Sequence, residues 1–427
     1  MSTTRLSTPQ SRPGLESRPV RQPRAIIVGG SMAGLFAALL LRRAGWKADV
    51  FERVGAELSG RGAGIVTHSE LFDVLKRAGI DSQAAQVGVS VSGRRVFGRD
   101  GSIVGELPFR QILTSWGHLY GLLRAGLPDA CYHQGRNLDR IEETDTSVTA
   151  HFSDGTSEVG DLLIGADGIF STVRSRFAPD VQPSYVGYIA WRGLVDEAEL
   201  SPDTQDALGD HFAFSLPDGE QMLGYPVAGL DEAMERGRRR FNFVWYRPAE
   251  AGGVLRDLLT DIDGVSQPLS IPPNRIRPEV TAALRRDARN LLSPQFAEVV
   301  NRTAQPFIQA IQDLESPRMV LGRRSVIIGD AAFVARPHVG MGVTKAAGDA
   351  DALVQAIIDH PGDLSRALAA FEAKRLAFGS AVIRRARQLG AYMQAQILDA
   401  EERAMAERHR RPEAVMAETA CATGIMA

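Results

Sequence analysis

Apolar and polar positions follow two periods along this chain, and the switches between them outline its elements. "RAIIVGG" (Arg24–Gly30) is an apolar run of strand length, and "MAGLFAALLLRRAG" (Met32–Gly45) keeps helical spacing until it stops at glycine. "KADVFER" (Lys47–Arg53) returns to strand spacing and completes a βαβ unit of about 30 residues. A helix follows in "SELFDVLKRAG", and "SVSGRRVFGRDGSIVGEL" alternates about Asp100-Gly101, which predicts a hairpin. Helical period returns around Gly117–Gly126, then short strands with turns lead to the apolar run Leu162–Ala166. From Tyr185 to Tyr246 the pattern is largely β, and from about 251 to 316 it reads as helical with prolines as punctuation. A late strand, Ser325–Asp330, passes through Pro337, Gly340 and Gly342 into an Ala-rich helix, and Ala/Arg/Glu-rich helix continues almost to the end.

This order predicts an α/β parallel-sheet nucleotide domain assembled from residues 25–85, 111–180 and 317–378. A β-rich second domain (86–110 and 181–316) is inserted into it, a helical region closes the chain (379–427), and a disordered tail precedes it (1–24). The tail is rich in Arg, Ser and Pro, but Pro9, Pro13, Pro19 and Pro23 break any amphipathic targeting helix. The closing region, with Arg/Glu pairs at helical spacing, reads as a solvated helix covering the core.

Composition narrows the function classes. At 427 residues the chain has room for two or three domains, and 49 basic against 51 acidic residues give a net charge of −2. Nothing there points to nucleic acid or an anionic membrane. Cys131 and Cys421 have no metal-ligand spacing, which excludes a zinc knuckle and a disulfide scaffold and fits a reducing cytoplasm. The apolar stretch Ala25–Leu41 is shorter than a usual membrane span of about 20 residues and is interrupted by Gly29, Gly30 and Gly34.

Three motifs carry chemistry. The dinucleotide pattern G-x-G-x-x-G falls on Gly29, Ser31 and Gly34, with Ser in the position where backbone approaches a pyrophosphate and Met32 inside the same turn. Glu52 closes the second strand 18 residues beyond Gly34, placed to accept from ribose hydroxyls. The turn alone does not separate FAD from NAD. "LIGADGIFSTVRS" puts Asp167-Gly168 at a strand end, ahead of Ser171 and Arg174; by itself it reads as a β-to-α turn with an N-cap serine. The late "GDAAFVARPHVGMGVTKAA" offers the Asp330 carboxylate to a polyol and lets Gly340 and Gly342 run close to a flat ligand. Gly342, Val343 and Thr344 there open a helix whose N–H groups suit an anionic ring edge.

In this order and spacing the three motifs resemble the class A flavoprotein monooxygenases, the single-component FAD aromatic hydroxylases. The match covers about residues 25–375. It implies a Rossmann-type FAD domain of the glutathione-reductase kind with a β-rich substrate domain. FAD is the implied cofactor and NADH or NADPH the cosubstrate. Gly29, Ser31 and Gly34 would bind the ADP part of FAD, Asp167, Gly168, Ser171 and Arg174 would serve both FAD and the NAD(P)H encounter, Asp330 would bind the ribityl chain, and Pro337, Gly340 and Gly342 would lie against the flavin ring. Arg53, Arg61 and Leu138 are further FAD contacts by the same resemblance. Two departures stand out: Phe333 occupies a position where the family usually has His, and "SWGHLYGLL" (Ser115–Leu123) lacks the family's usual Arg or Gln. "GAGIVTHSEL", "YIAWRGLV" and "FNFVWYRP" are similar to 2,6-dihydroxypyridine 3-hydroxylase-like enzymes and related hydroxypyridine monooxygenases.

The implied reaction adds one oxygen of O2 to a small aromatic or N-heteroaromatic substrate through a C4a-hydroperoxyflavin. Epoxidation or Baeyer–Villiger oxidation on the same fold, a nicotinamide dehydrogenase and a non-catalytic flavin-binding protein are the alternatives. The W-x-W-x-I-P motif of flavin halogenases is absent. A base that polarises a substrate hydroxyl is sought among His338, His68, His211 and Tyr225, and Arg192 is a candidate for an anionic substrate group. No metal is expected, and the assembly is expected to be a monomer or homodimer.

Overall fold

The computed structural model describes residues 21–58, 64–80, 87–393, 399–422 and 425. The run Ala25–Val28 is buried on both faces, as a strand inside a parallel sheet must be. It is the middle strand of a five-stranded parallel sheet in the order Ser325–Ile327, Leu162–Gly165, Arg24–Val28, Lys47–Glu52, Tyr132–Gln134. The helix Met32–Arg43 is buried from Met32 to Leu41 because the sheet covers one side and the helix Gly342–Asp359 the other. Each large apolar side chain so enclosed contributes about 1.5–3 kcal/mol. An antiparallel meander, Leu138–Glu143, Val148–Phe152 and Ser157–Gly160, flanks this layer.

A larger sheet forms the second layer. Its strands run Ser270–Ile271, Phe307–Glu315, Ser184–Asp196, Arg240–Pro248, Gln221–Val227, His211–Ser215, Val89–Phe97, Ile103–Ser115 and Gly64–Val66, and Phe333–Val334 pairs with Phe307–Glu315 off this path. One face packs on the helices Pro278–Leu291 and Pro294–Arg302. The other carries Phe212, Phe214, Tyr225 and Tyr246 and meets Tyr392, Val415 and Met416 from the end of the chain. The expected hairpin about Gly101 is present, with that glycine at φ 87°.

Four expectations change. Residues 251–316 are not helical throughout: Phe307–Glu315 is a strand. Its apolar residues Phe307, Ile308, Ala310, Ile311 and Leu314 fit a helical period equally well, because this strand is buried on both faces. The boundary expected at 378/379 falls inside one unbroken helix, Leu364–Gly390, and that expected at 110/111 falls inside the strand Ile103–Ser115. Arg24 already belongs to the first strand, tied to Asp49 at 2.9 Å and Glu158 at 2.8 Å, while residues 1–20 of the expected tail lie outside the described residues. Among the described residues no helix is long and apolar enough to cross a membrane.

A candidate active site with two ends

Two adjoining cavities, of about 510 Å³ and about 360 Å³, lie beyond the carboxyl ends of the parallel strands, and Ser31, Trp116, Ala166, Gly168 and Gln309 line both. The larger is built around the first glycine turn. Gly29 stands at φ 107°, and a Cβ there would strike the Ala166 carbonyl; one on Gly34 would strike the Gly29 carbonyl. Gly34 therefore sets the approach of helix to strand and does not line the cavity. Ser31 is the N-cap of the helix but makes no side-chain cap bond, so its hydroxyl is free for a ligand. Glu52 accepts from the Gly30 N–H at 2.8 Å and the Val54 N–H at 2.9 Å, one per carboxylate oxygen, and still lines the cavity. Arg53, Leu138 and Asp167 share this wall; Arg61 lies outside the described residues.

Asp167 is also a cap. It accepts from the Ser171 hydroxyl at 2.5 Å and the Thr172 N–H at 2.7 Å. Arg174, fully buried, donates to the carbonyls of Ala331 (2.8 Å), Ile169 (2.6 Å) and Val181 (3.0 Å). Its guanidinium is thus occupied in tying this turn to the late Gly329-Asp330 turn.

The smaller cavity is bounded by that late segment. Met32, Asp330, Pro337, Gly340, Gly342 and Val343 line it. The Asp330 side chain is 54% accessible and lines the cavity; surrounding protein raises its pKa while Lys345, 3.9 Å away, opposes the rise. The helix Gly342–Asp359 begins without a side-chain cap, so its first N–H groups are unpaired within the helix. Thr344 does not face the cavity by its side chain: its Oγ1 meets His68 Nδ1 at 3.2 Å.

Arg192, Phe212, Tyr225, Tyr246 and Gln309 supply the opposite wall, from strands of the large sheet. Arg192 has no ion pair among the described residues, and its Nε is buried without a partner. Burial pushes the Tyr246 phenol up to about 12 and raises Tyr225 further, with Arg192 opposing both shifts. A phenol held protonated donates a hydrogen bond, the form that suits an anionic ligand.

The three candidate histidines are placed differently around this cavity. His338 reaches the cavity but is 1% exposed, with Nδ1 3.0 Å from Gln221 Oε1 and Nε2 3.0 Å from the Tyr188 hydroxyl. Gln221 Oε1 only accepts, so Nδ1 carries the proton and Nε2 accepts from Tyr188. Burial, then the Arg336 charge, lowers its pKa to about 3. His68 lies behind the late helix start and outside the cavity lining. His211 projects to the other side of its strand from Phe212, 4.0 Å from Glu106, and is remote from the cavity.

The sequence had offered no signal for Gln309, on the misread strand, or for Thr419 and Ala420, which reach the small cavity from the end of the chain. In the segment Ser115–Leu123, where the family usually carries Arg or Gln, Trp116 lines both cavities and stacks on Tyr120 at 4.9 Å. Phe333 is buried against Gly379, so a core contact replaces the usual His there. The donor set fits FAD: acidic side chains for hydroxyls at both ends, two helix starts without side-chain caps for anionic groups, and glycines where a Cβ would collide. Among the described residues no cluster suits a metal.

Comparison with known proteins agrees. The FAD binding domain family matches residues 23–214, and an FAD binding domain-like family matches residues 185–313. The 2,6-dihydroxypyridine 3-monooxygenase of Paenarthrobacter nicotinovorans is 34% identical over 371 residues, covering 87% of this chain and 91% of that protein. The 3-amino-4-hydroxybenzoate 2-monooxygenase of Streptomyces cremeus is 30% identical over 383 residues, covering 86% and 87%. The solved structure of 2,6-dihydroxypyridine-3-hydroxylase from Arthrobacter nicotinovorans superposes with a TM-score of 0.81 at 32% identity, over 89% of this chain and 95% of that one.

Proposed function

The chain belongs to the FAD-binding-domain family of flavoprotein monooxygenases, and from that premise we propose that it hydroxylates a small, electron-rich N-heteroaromatic ring, a hydroxypyridine, that binds as its anion. Bound FAD supplies the redox chemistry, taking a hydride from NAD(P)H and activating dioxygen. The balance is ring–H + NAD(P)H + H⁺ + O2 giving ring–OH + NAD(P)⁺ + H2O. The glycine turn, Glu52 and Asp330 would hold the cofactor, and the first turn of the helix at Gly342 would offer its N–H groups to the ring.

The observation that carries the substrate class is Arg192, an unpaired cation on the cavity wall beside two protonated phenols. An oxyanion on the ring is drawn to the guanidinium and accepts from Tyr225 and Tyr246. That anion pushes electron density into the ring, which is what attack on an electrophilic oxygen requires. No protein base is needed for a substrate that arrives ionised. The test is a screen of hydroxypyridines and phenols for stimulated NAD(P)H oxidation, with the product mass checked for one added oxygen. Stimulation by hydroxypyridines is expected. Oxygenation of only non-aromatic ketones or alkenes would sink the assignment, and oxidation that no aromatic compound accelerates would favour a non-catalytic flavin protein.

A further inference from the structure

Arg94 is a charged side chain with no accessible surface and no ion pair among the described residues. Such a group is costly to bury, and burial lowers its pKa. Its hydrogen bonds go to one place. Nη1 donates to the carbonyls of Met416 (2.6 Å) and Thr419 (2.7 Å), and Nη2 to Gln111 Oε1 (2.8 Å), whose own Nε2 reaches the Ala420 carbonyl at 3.4 Å. The guanidinium carbon lies 5.1 Å from the ring centre of Phe212, itself on the cavity wall. The three carbonyls belong to the last turn of the short helix Pro412–Glu418 and the residues that follow it.

Thr419 and Ala420 then line the small cavity. The Ala420 N–H donates to the His338 carbonyl at 2.8 Å, at the loop that lines the proposed ring site. Ala420 holds φ 53°, a conformation L side chains seldom adopt, and it sits so close that a Cβ on Gly340 would lie 2.8 Å from its own Cβ. On the other side Glu418 is held by Arg385 at 2.9 Å and also by Arg408 and His409.

We propose that residues 416–421 form a strap that walls the substrate end of the cavity, and that Arg94 is the positioning residue that clips it there. The strap would set the size of the pocket and keep water from the reacting end. The catalytic part of this inference rests on the hydroxylase reading; the clip does not. If the strap opens, reduced cofactor loses electrons to dioxygen without product: NAD(P)H + H⁺ + O2 gives NAD(P)⁺ + H2O2.

The test compares full-length holoenzyme with Arg94→Met by hydrogen exchange and by peroxide yield per NAD(P)H. Loss of two charge-assisted bonds should speed exchange at the amides of 416–421 by about ten- to a hundredfold, with the amides of 24–28 unchanged and FAD affinity within about twofold. The peroxide fraction should rise several-fold. Ala420→Val, which strains the strap at its positive φ, should raise both readouts in the same direction and serves if Arg94→Met does not fold. Unchanged exchange in the folded variant would overturn the clip. Faster exchange with unchanged peroxide yield would overturn the wall. If wild type shows no oxidation stimulated by an aromatic compound, the hydroxylase reading fails while exchange still decides the clip.

Discussion

The two ends of the site are built on different principles. The cofactor end is largely backbone, with Glu52 and Asp330 added: helix starts, a strand end, and glycines at which a side chain would collide with a carbonyl. The other end is side chain: an arginine, two tyrosines, a phenylalanine and a glutamine on the large sheet, joined in the lining by Thr419 and Ala420. A backbone site tolerates little change and binds one ligand. A side-chain wall can change residue by residue without disturbing the turn that holds the cofactor.

The largest expected effect therefore lies at the first turn. Gly29→Ala places a methyl into the Ala166 carbonyl at a φ of 107°, so strand and helix must part. Overpacking of that kind costs about 3 kcal/mol or more, and FAD affinity should fall by about a hundredfold or more, measured by flavin fluorescence on titrating the apoprotein. Retention of wild-type affinity would break the contrast at its strong end.

Arg192→Met should do the converse. Removing the cation should lower kcat/KM for an anionic hydroxypyridine by about a hundredfold, the scale of a truncated buried charge contact, with FAD affinity held within about twofold. Steady-state kinetics and the same fluorescence titration check the two halves. An equal loss for a neutral ring would mean that Arg192 shapes the wall and does not read charge.

This division also explains what could be read from the chain beforehand. Gly29, Gly34, Asp330 and Gly340 are fixed by steric and polar demands that leave a residue-type signature at short spacing. Gln309 leaves none: a glutamine acquires its position only when Phe307–Glu315 forms a strand, and its apolar spacing read as helix. Thr419 and Ala420 are ordinary residues of the closing region, and they are held at the cavity by distant partners, Arg94 for Thr419 and His338 and Gln111 for Ala420. His338 was found by its motif, yet its partners Gln221 and Tyr188 come from distant strands, so its motif position could not show that both ring nitrogens are taken. The same limit applies to domain edges, where Leu364–Gly390 continues past any change of composition.

His338 belongs to both ends, with its backbone in the ring-binding loop and its side chain among the strands of the large sheet. Its pKa of about 3 lies below the ordinary value of about 6.5. Between these values the unfolded chain binds a proton that the native site refuses, so stability falls as pH drops below about 6.5. From pH 7 to pH 5 this group alone should remove about 2 kcal/mol. His68, His211 and His409 are shifted in the same direction and add to the slope. The urea midpoint of His338→Gln should accordingly fall less steeply over that interval than that of wild type; the slope is the readout, whatever the variant's stability at pH 7. Parallel slopes would mean that His338 gains a proton in place and can serve as a base after all.

The smallest effect distinguishes the two phenols. Each hydroxyl donates one hydrogen bond to the substrate oxyanion in this reading, so Tyr225→Phe and Tyr246→Phe should each cost about 1 kcal/mol, roughly fivefold in kcat/KM. Because both hydroxyls donate to one oxygen in this reading, the loss in the double variant should depart from the sum of the two single losses. Because both phenols stay protonated, neither variant should shift the acid limb of the kcat/KM profile, which then belongs to the substrate's own ionisation. A shift of that limb in Tyr225→Phe alone would return Tyr225 to the role of base and would make the substrate end a proton-transfer site, where the wall described here only binds an anion that is already formed.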